Sequence, residues 1–388
     1  MGLQAQIDPV KRHLIQLGYN QPLEGASPLA AYGFYYYNQP GFYRSNLTLR
    51  LSVAPVYLDS ELGFSQALGE RTDFAVGLAG GGFADSHFEM RRGKYIKSES
   101  FTGHGGEVSA SVYHRFNPDR LIPLNLVIRG AVHYATYGEE SKTARAFELP
   151  DDRPHLAFRS GLRFGGIEPL LDTQAALELS AWYEGIYRGS DDAFGFANDR
   201  TLESMSHLFW VRALFAYTLP ELGHRMEVNL TSGTSAGADR FSAYRIGGAL
   251  PLASEFPLSL PGYFYQELSA RSFALAQASY SLPIDPDQRW SLVGSAATGV
   301  VDYLRDQSQP GHWHSSLGGG IQFRPRSRSW LLMLGYGYGI DAIRDGGRGA
   351  HSVGFWFQYD LGRASEQLFQ PEEAPERSRG FFRLFKGS

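Results

Sequence analysis

Apolar residues recur at every second position through most of this chain. Leu47, Leu49, Leu51 and Val53 alternate with Thr48, Arg50 and Ser52; past the Ala54–Pro55 turn, Val56, Leu58, Leu62 and Phe64 alternate with Tyr57, Asp59 and Glu61. The period returns in Val108, Ala110 and Val112, in Leu124, Leu126 and Ile128 ahead of Arg129, and in Leu156, Phe158, Leu162 and Phe164 against Arg159 and Arg163. It returns again in Leu177 and Leu179 around Glu178, and in Met226, Val228 and Leu230 around Glu227. Period two belongs to β-strands, whose successive side chains point to opposite faces. Each strand therefore has one apolar face and one face carrying ionisable groups of both signs.

Alternation fits a soluble sandwich as well as a membrane barrel, so length and aromatic placement must choose. The alternating runs last roughly 10 residues or more, near the ~9–11 that a tilted strand needs to cross a bilayer and above the ~5–6 usual in soluble sheets. Tyr and Phe gather at run ends, as in Tyr35–Tyr37, Phe42–Tyr43, Tyr134 with Tyr137, and Tyr183 with Tyr187. Such clusters suit interfacial girdles, the other reading being aromatic cross-strand pairs in a core. Short connections at 69–72, 117–122, 165–171, 220–224, 283–288 and 324–328 alternate with longer polar segments at 83–104, 138–154, 188–205, 232–271, 302–312 and 340–348. That rhythm matches an outer-membrane barrel.

The predicted fold is all-β: a transmembrane antiparallel β-barrel of about 16 strands over residues 29–361, in a bacterial outer membrane. Fifteen strands are legible, from the first near Leu29 to Tyr37 to the last at Gly349 to Leu361, and an even count requires one more, placed near the N-terminus. Arg50, Asp59, Glu61, Arg129, Arg159, Arg163, Glu178 and Glu227 are expected to line a polar lumen. Residues 1–28 read as a periplasmic segment with a short helix, because Asp8 can cap it, Pro9 suits its first turn and Gly18 can stop it. No globular domain fits in so little chain. Residues 362–388 read as a flexible tail, acidic at Glu366, Glu372 and Glu373, then basic and aromatic from Arg377 to Lys386; contact with a membrane surface is the other reading.

Composition narrows the class. Gly numbers 45, aromatics make up 14%, and mean hydropathy is −0.27. No run of 18 apolar residues occurs, which excludes a transmembrane helix and leaves a barrel open. A net charge of −4 gives no case for a nucleic-acid partner, and zero cysteines exclude disulfides and thiolate chemistry. A charged n-region and an apolar h-region are missing at the start. Ala5 in Met1–Gln6 occupies the small position of a cleavage site, or Met1 is a start added for expression.

One long segment carries a family resemblance. Phe241 with Gly247 and Gly248, then Leu260, Pro261, Gly262 and Tyr263, then the strand from Ala274 to Pro283, resemble the BamA/TamA outer-membrane assembly superfamily. Ser316–Ile321, Leu334–Gly337 and Val353–Phe357 sit where that family places its final three strands. The resemblance implies a loop whose tip folds back into the lumen, and a non-enzymatic role in protein or lipid assembly, with membrane lipid and other envelope proteins as partners. The chain reads as a short member without POTRA repeats. Pro261 stands in place of the family's loop-tip arginine, Ser279 and Ser281 in place of lumen-facing Glu and Arg, and Ala297 in place of an aspartate. A stranded member of such a network would cost ~3–5 kcal/mol, so joint loss of all members is self-consistent. The Pro-Gly turn can still fold inward without that ion pair.

Motifs with chemical potential are few. Gly233–Gly237 matches Gly-x-Ser-x-Gly around Ser235, but no helix follows to build a nucleophile elbow. His312 and His314 lack further ligands and read as surface histidines. Gly80–Gly82 and Gly318–Gly320 lack the Lys-Ser/Thr of a phosphate loop and read as glycines easing strand curvature. No catalytic residue, metal or cofactor is expected. Besides an assembly role, the sequence allows a passive diffusion channel with a mixed-charge lumen and, less readily, a hydrolase using Ser235 or a histidine.

Overall fold

Sixteen antiparallel strands, each hydrogen-bonded on both sides, close on themselves in the computed structural model, which describes residues 10–364 apart from 119, 121, 167–173 and 250–255. In chain order they are β1 (Arg12–Pro22), β2 (Ala30–Pro40), β3 (Leu47–Ala54), β4 (Tyr57–Phe64), β5 (Thr72–Gly81), β6 (Phe101–Arg115), β7 (Leu124–Glu139) and β8 (Arg153–Gly165). β9 (Ala175–Tyr187), β10 (Met205–Thr218), β11 (Arg225–Ala236), β12 (Leu268–Pro283), β13 (Trp290–Tyr303), β14 (Trp313–Phe323), β15 (Trp330–Arg344) and β16 (Gly347–Asp360) complete the wall. Backbone groups in hydrocarbon must be paired within the protein, and a closed barrel is the sheet that leaves no edge.

The sixteenth strand corrects the reading of the N-terminus. The segment expected to be helical is β1, which pairs with β2 on one side and closes the barrel against β16 on the other, from Leu14 opposite Asp360 to Pro22 opposite Ser352. Its own pattern is period two: Ile15, Leu17 and Tyr19 face outward while Gln16, Gly18 and Asn20 are buried. The cap-like Asp8-Pro9 and the stop-like Gly18 are local signals. Pairing on both sides outweighs them, because a helix here would leave β2 and β16 as unpaired edges. The barrel thus starts at Arg12 rather than at residue 29. Met1–Gln6 and the tail from residue 365 lie outside the described residues.

Burial runs opposite to that of a soluble sheet. Val108 is 61% exposed, Leu78 55% and Leu162 46%, whereas Arg50 (8%), Asp59 (7%), Glu61 (5%) and Glu178 (1%) are buried. A soluble sandwich would do the reverse; an outward apolar face is the pattern of a barrel set in lipid. Outward rings touch in series at the short-turn end: Trp290 to Phe323 at 4.5 Å, Phe323 to Trp330 at 5.0 Å, Trp330 to Phe357 at 6.1 Å.

Short turns at 219–224, 284–289 and 324–329 occupy one end, and long loops at 82–100, 188–204 and 237–267 the other. Two connections at the long-loop end are tight: Pro55–Val56, and Asp345–Gly346 within the expected long segment 340–348. The long loops pack on each other through Phe101, Phe147, Phe194 and Leu202, with Phe241 against them.

Candidate functional site: a loop across the barrel lumen

The loop joining β11 to β12 returns into the barrel. Tyr244–Ile246 adds a short strand to the end of β12, pairing with Leu268–Ala270. The chain then turns on Gly247 and Gly248, at φ +140° and +90°. A Cβ on Gly247 would sit 2.3 Å from the carbonyl oxygen of Phe264 on the returning limb, so only glycine lets the limbs approach. Gly247 N–H donates to Leu258 O at 2.9 Å, and Gly248 bridges Leu260. Leu260, Tyr263 and Phe264 are each 1% exposed or less.

At the tip, Pro261 and Gly262 rest on a stretch of wall stripped of side chains. Gly262 has φ +86°, and a Cβ there would meet Gly339 N at 1.9 Å and Ala350 O at 2.7 Å. Pro261 packs where a Cβ on Gly318 or Gly337 would stand. Gly318, in the triplet read as easing curvature, thus helps form the seat for the loop tip. The Gly262 N–H donates to Ser352 Oγ at 3.1 Å.

The loop is held by an arginine of the wall rather than of its own tip. Arg344, at the end of β15, forms a bidentate pair with Glu267, NH1 to Oε1 at 2.9 Å and NH2 to Oε2 at 3.0 Å. Glu267 also accepts from Phe264 N–H at 2.7 Å, and the Arg344 guanidinium stacks 3.7 Å above the Phe264 ring. The Tyr263 hydroxyl and His314 Nδ1 are hydrogen-bonded at 3.0 Å, and Tyr303 bonds the other ring nitrogen. His314 is 1% exposed, which corrects its reading as a surface histidine; His312, just ahead of β14, is exposed.

Phe256 marks the near end of the crossing. It packs against Trp182 and Trp210 on β9 and β10, with Arg212 4.9 Å and Arg159 5.5 Å from its ring. From Phe256 to Gly262 the loop therefore runs from the β8–β10 wall to the β14–β16 wall. Gln277 Nε2 ties it midway by donating to Ser259 O at 3.0 Å.

The structure gathers the predicted inward residues into pairs. Arg50 lies 3.6 Å from Asp59 and 3.7 Å from Glu61, and Tyr113 OH donates to Glu61. Arg129 pairs with Glu107 at 2.5 Å; Glu178 holds Arg212 at 2.6 Å and Arg163 at 3.6 Å; Arg159 reaches Glu184 at 4.0 Å. Glu227 pairs along its own strand with Arg225, at 3.4 Å. Ser279 and Ser281 stand opposite Glu227 and Arg225 in register, and Ala297 is buried opposite Ser316. Glu267 and Arg344, and the bond from His314 to the loop tip, escaped sequence reasoning, since nothing local marks partners 77 and 51 residues apart. Ser235 lies within β11 and its hydroxyl donates to Arg271 O. A cavity of about 500 Å³ at the short-turn end is lined by Thr48, Tyr113, Arg115 and Asn125.

Solved structures share this fold at low identity. CdiB from Acinetobacter baumannii superposes with a TM-score of 0.60 at 12% identity, over 90% of this chain and 60% of that one. BamA from Haemophilus ducreyi lacking POTRA domains 1–3 gives 0.56 at 10%, over 89% and 70%. CdiB from Escherichia coli gives 0.56 at 11%, over 89% and 63%, so this chain spans less than two thirds of either CdiB chain. No protein-family model and no curated protein matches the sequence. The resemblance to BamA/TamA superfamily barrels holds at the level of fold.

Proposed function

We propose that this chain is an integral outer-membrane barrel of the BamA/TamA superfamily, non-enzymatic, that assists protein or lipid assembly and keeps its lumen shut with its own loop until a client displaces it. The observation that carries this is the loop from Phe256 to Glu267 lying across the lumen, buried at its tip and clamped by Glu267–Arg344. An open diffusion channel would hydrate its lining charges, whereas Arg50, Glu61, Arg163 and Glu178 are buried in ion pairs. That arrangement argues against the passive-pore alternative. Membrane lipid surrounds the apolar face, and other envelope proteins are the expected clients.

Planar-bilayer recording tests the plug. The purified protein should be quiescent with rare openings, and Glu267→Ala should open often; a steady large conductance from the unaltered protein would overturn the plug. Depletion in the host should lower the folded fraction of other outer-membrane barrels or disturb lipid asymmetry, and unchanged levels of both would overturn the assembly role.

A further inference from the structure

The long-loop end holds a second cluster of charge that the plug does not use. Glu89, with no exposed surface, is bonded by His87 Nε2 at 2.9 Å and Gln307 Nε2 at 2.8 Å, and lies 3.3 Å from both Arg91 Nε and Arg240 Nε. Glu99 pairs with Arg91 and Arg200, and Arg200 stacks 4.9 Å above Phe147. Burial pushes the His87 imidazole below its ordinary value despite Glu89, so it adds no charge near neutral pH.

Arg245 is the anomaly. On the short strand Tyr244–Ile246 its neighbours face the core, and it turns toward loop 82–100, where its NH2 donates to Phe88 O at 3.0 Å. Its Nε is buried with no hydrogen-bond partner, and among the described residues no carboxylate lies within 4.0 Å of it. Burial pushes its guanidinium below the ordinary value, Glu89 being too distant to offset this and Arg240 adding repulsion. Arg200, by contrast, is compensated: its Nε lies 3.5 Å from Asp199 and its Nη1 3.8 Å from Glu89. Around Glu89, Glu99 and Asp199, four guanidinium groups (Arg91, Arg200, Arg240, Arg245) meet three carboxylates, and Arg245 is the one of the four with no carboxylate within 4.0 Å among the described residues. Arg245 is half-buried, its Nε is closed off from water and no carboxylate compensates it, so a counter-charge there would be favourable, and its fork suits the oxygens of a tetrahedral anion.

We propose that Arg245, with Arg240 beside it, binds an oxyanion of the phosphate class within the folded long loops. The anion could be free in solution or carried on a lipid headgroup; the chemistry is the same. The site stands independently of the assembly role.

The test is thermal unfolding of the full chain in detergent, purified in chloride, with inorganic phosphate at matched ionic strength or with micelles doped with an anionic phospholipid. Phosphate should raise Tm saturably, and Arg245→Met should abolish the shift while melting no lower than the unaltered protein in chloride. A shift from the phospholipid alone, lost in Arg245→Met, supports the site and assigns the headgroup as source. No shift from either anion, or an equal shift in both proteins, overturns the proposal. Should Arg245→Met fail to fold, equilibrium dialysis of the unaltered protein against labelled phosphate and labelled phospholipid decides, with saturable binding of either expected and binding of neither overturning it.

Discussion

Gly262 shows how one residue can decide whether a loop docks. With φ +86° and no room for a Cβ beside Gly339, Gly262→Ala should lift the tip from the wall at a cost of about 1–3 kcal/mol. Faster chymotryptic cleavage at Tyr263–Tyr265 than in the unaltered protein would report it. Glu267→Ala leaves Arg344 buried and uncompensated, which should cost ~3–5 kcal/mol in urea unfolding, while Glu267→Met with Arg344→Met should recover most of that. Equal losses in the single and double variants would show that the pair does not act as a unit. Glu89 makes a pH prediction. Burial would raise its carboxyl, but the His87 hydrogen bond, Arg240 and Arg200 outweigh burial and hold it at about 2, below an ordinary 4.5. A depressed folded value contributes stability that is complete above 4.5 and lost as pH falls through about 2. The Tm difference between the unaltered protein and Glu89→Gln should therefore be constant above about pH 5 and shrink toward pH 2.

Among the elements, β1 is the instructive one. Period two was legible along fifteen strands because lipid on one side and paired charge on the other impose alternation on every residue. In β1 the inward positions are Leu14, Gln16, Gly18 and Asn20, too mixed to stand out against helix-like punctuation. What makes it a strand is the pair of edges waiting for it on β2 and β16. The chain has no cysteine, so Tyr19→Cys with Phe355→Cys, opposite each other in register, should cross-link across the seam on oxidation. Tyr19→Cys with Tyr359→Cys, out of register, should not, and a non-reducing gel separates the outcomes. The loop to β12 was legible in part. Its glycines and Pro-Gly turn showed in the sequence; its partners on β14, β15 and β16 did not.

At the scale of the whole molecule, the barrel is obstructed at several levels among the described residues. Paired charges line its wall, one loop crosses it and the long loops pack together at one end, so an intervention that removes only one should open it partially. Deleting residues 256–264 should raise single-channel conductance above that of Glu267→Ala, because the ion-pair variant still leaves Phe256 seated among Trp182, Trp210 and the arginines. Equal conductance in the two would mean that the salt bridge alone holds the loop.

The sequence by itself determined that this chain is a barrel, where most of its strands run and which face of each meets lipid. Those properties are imposed residue by residue, by pleat and by solvent. Tertiary structure alone decided that the first strand closes the ring, that His314 is buried, and that Glu267 and Arg344 clamp the loop that crosses the lumen. These depend on which distant strands become neighbours once the wall curves shut, and neither periodicity nor spacing records that.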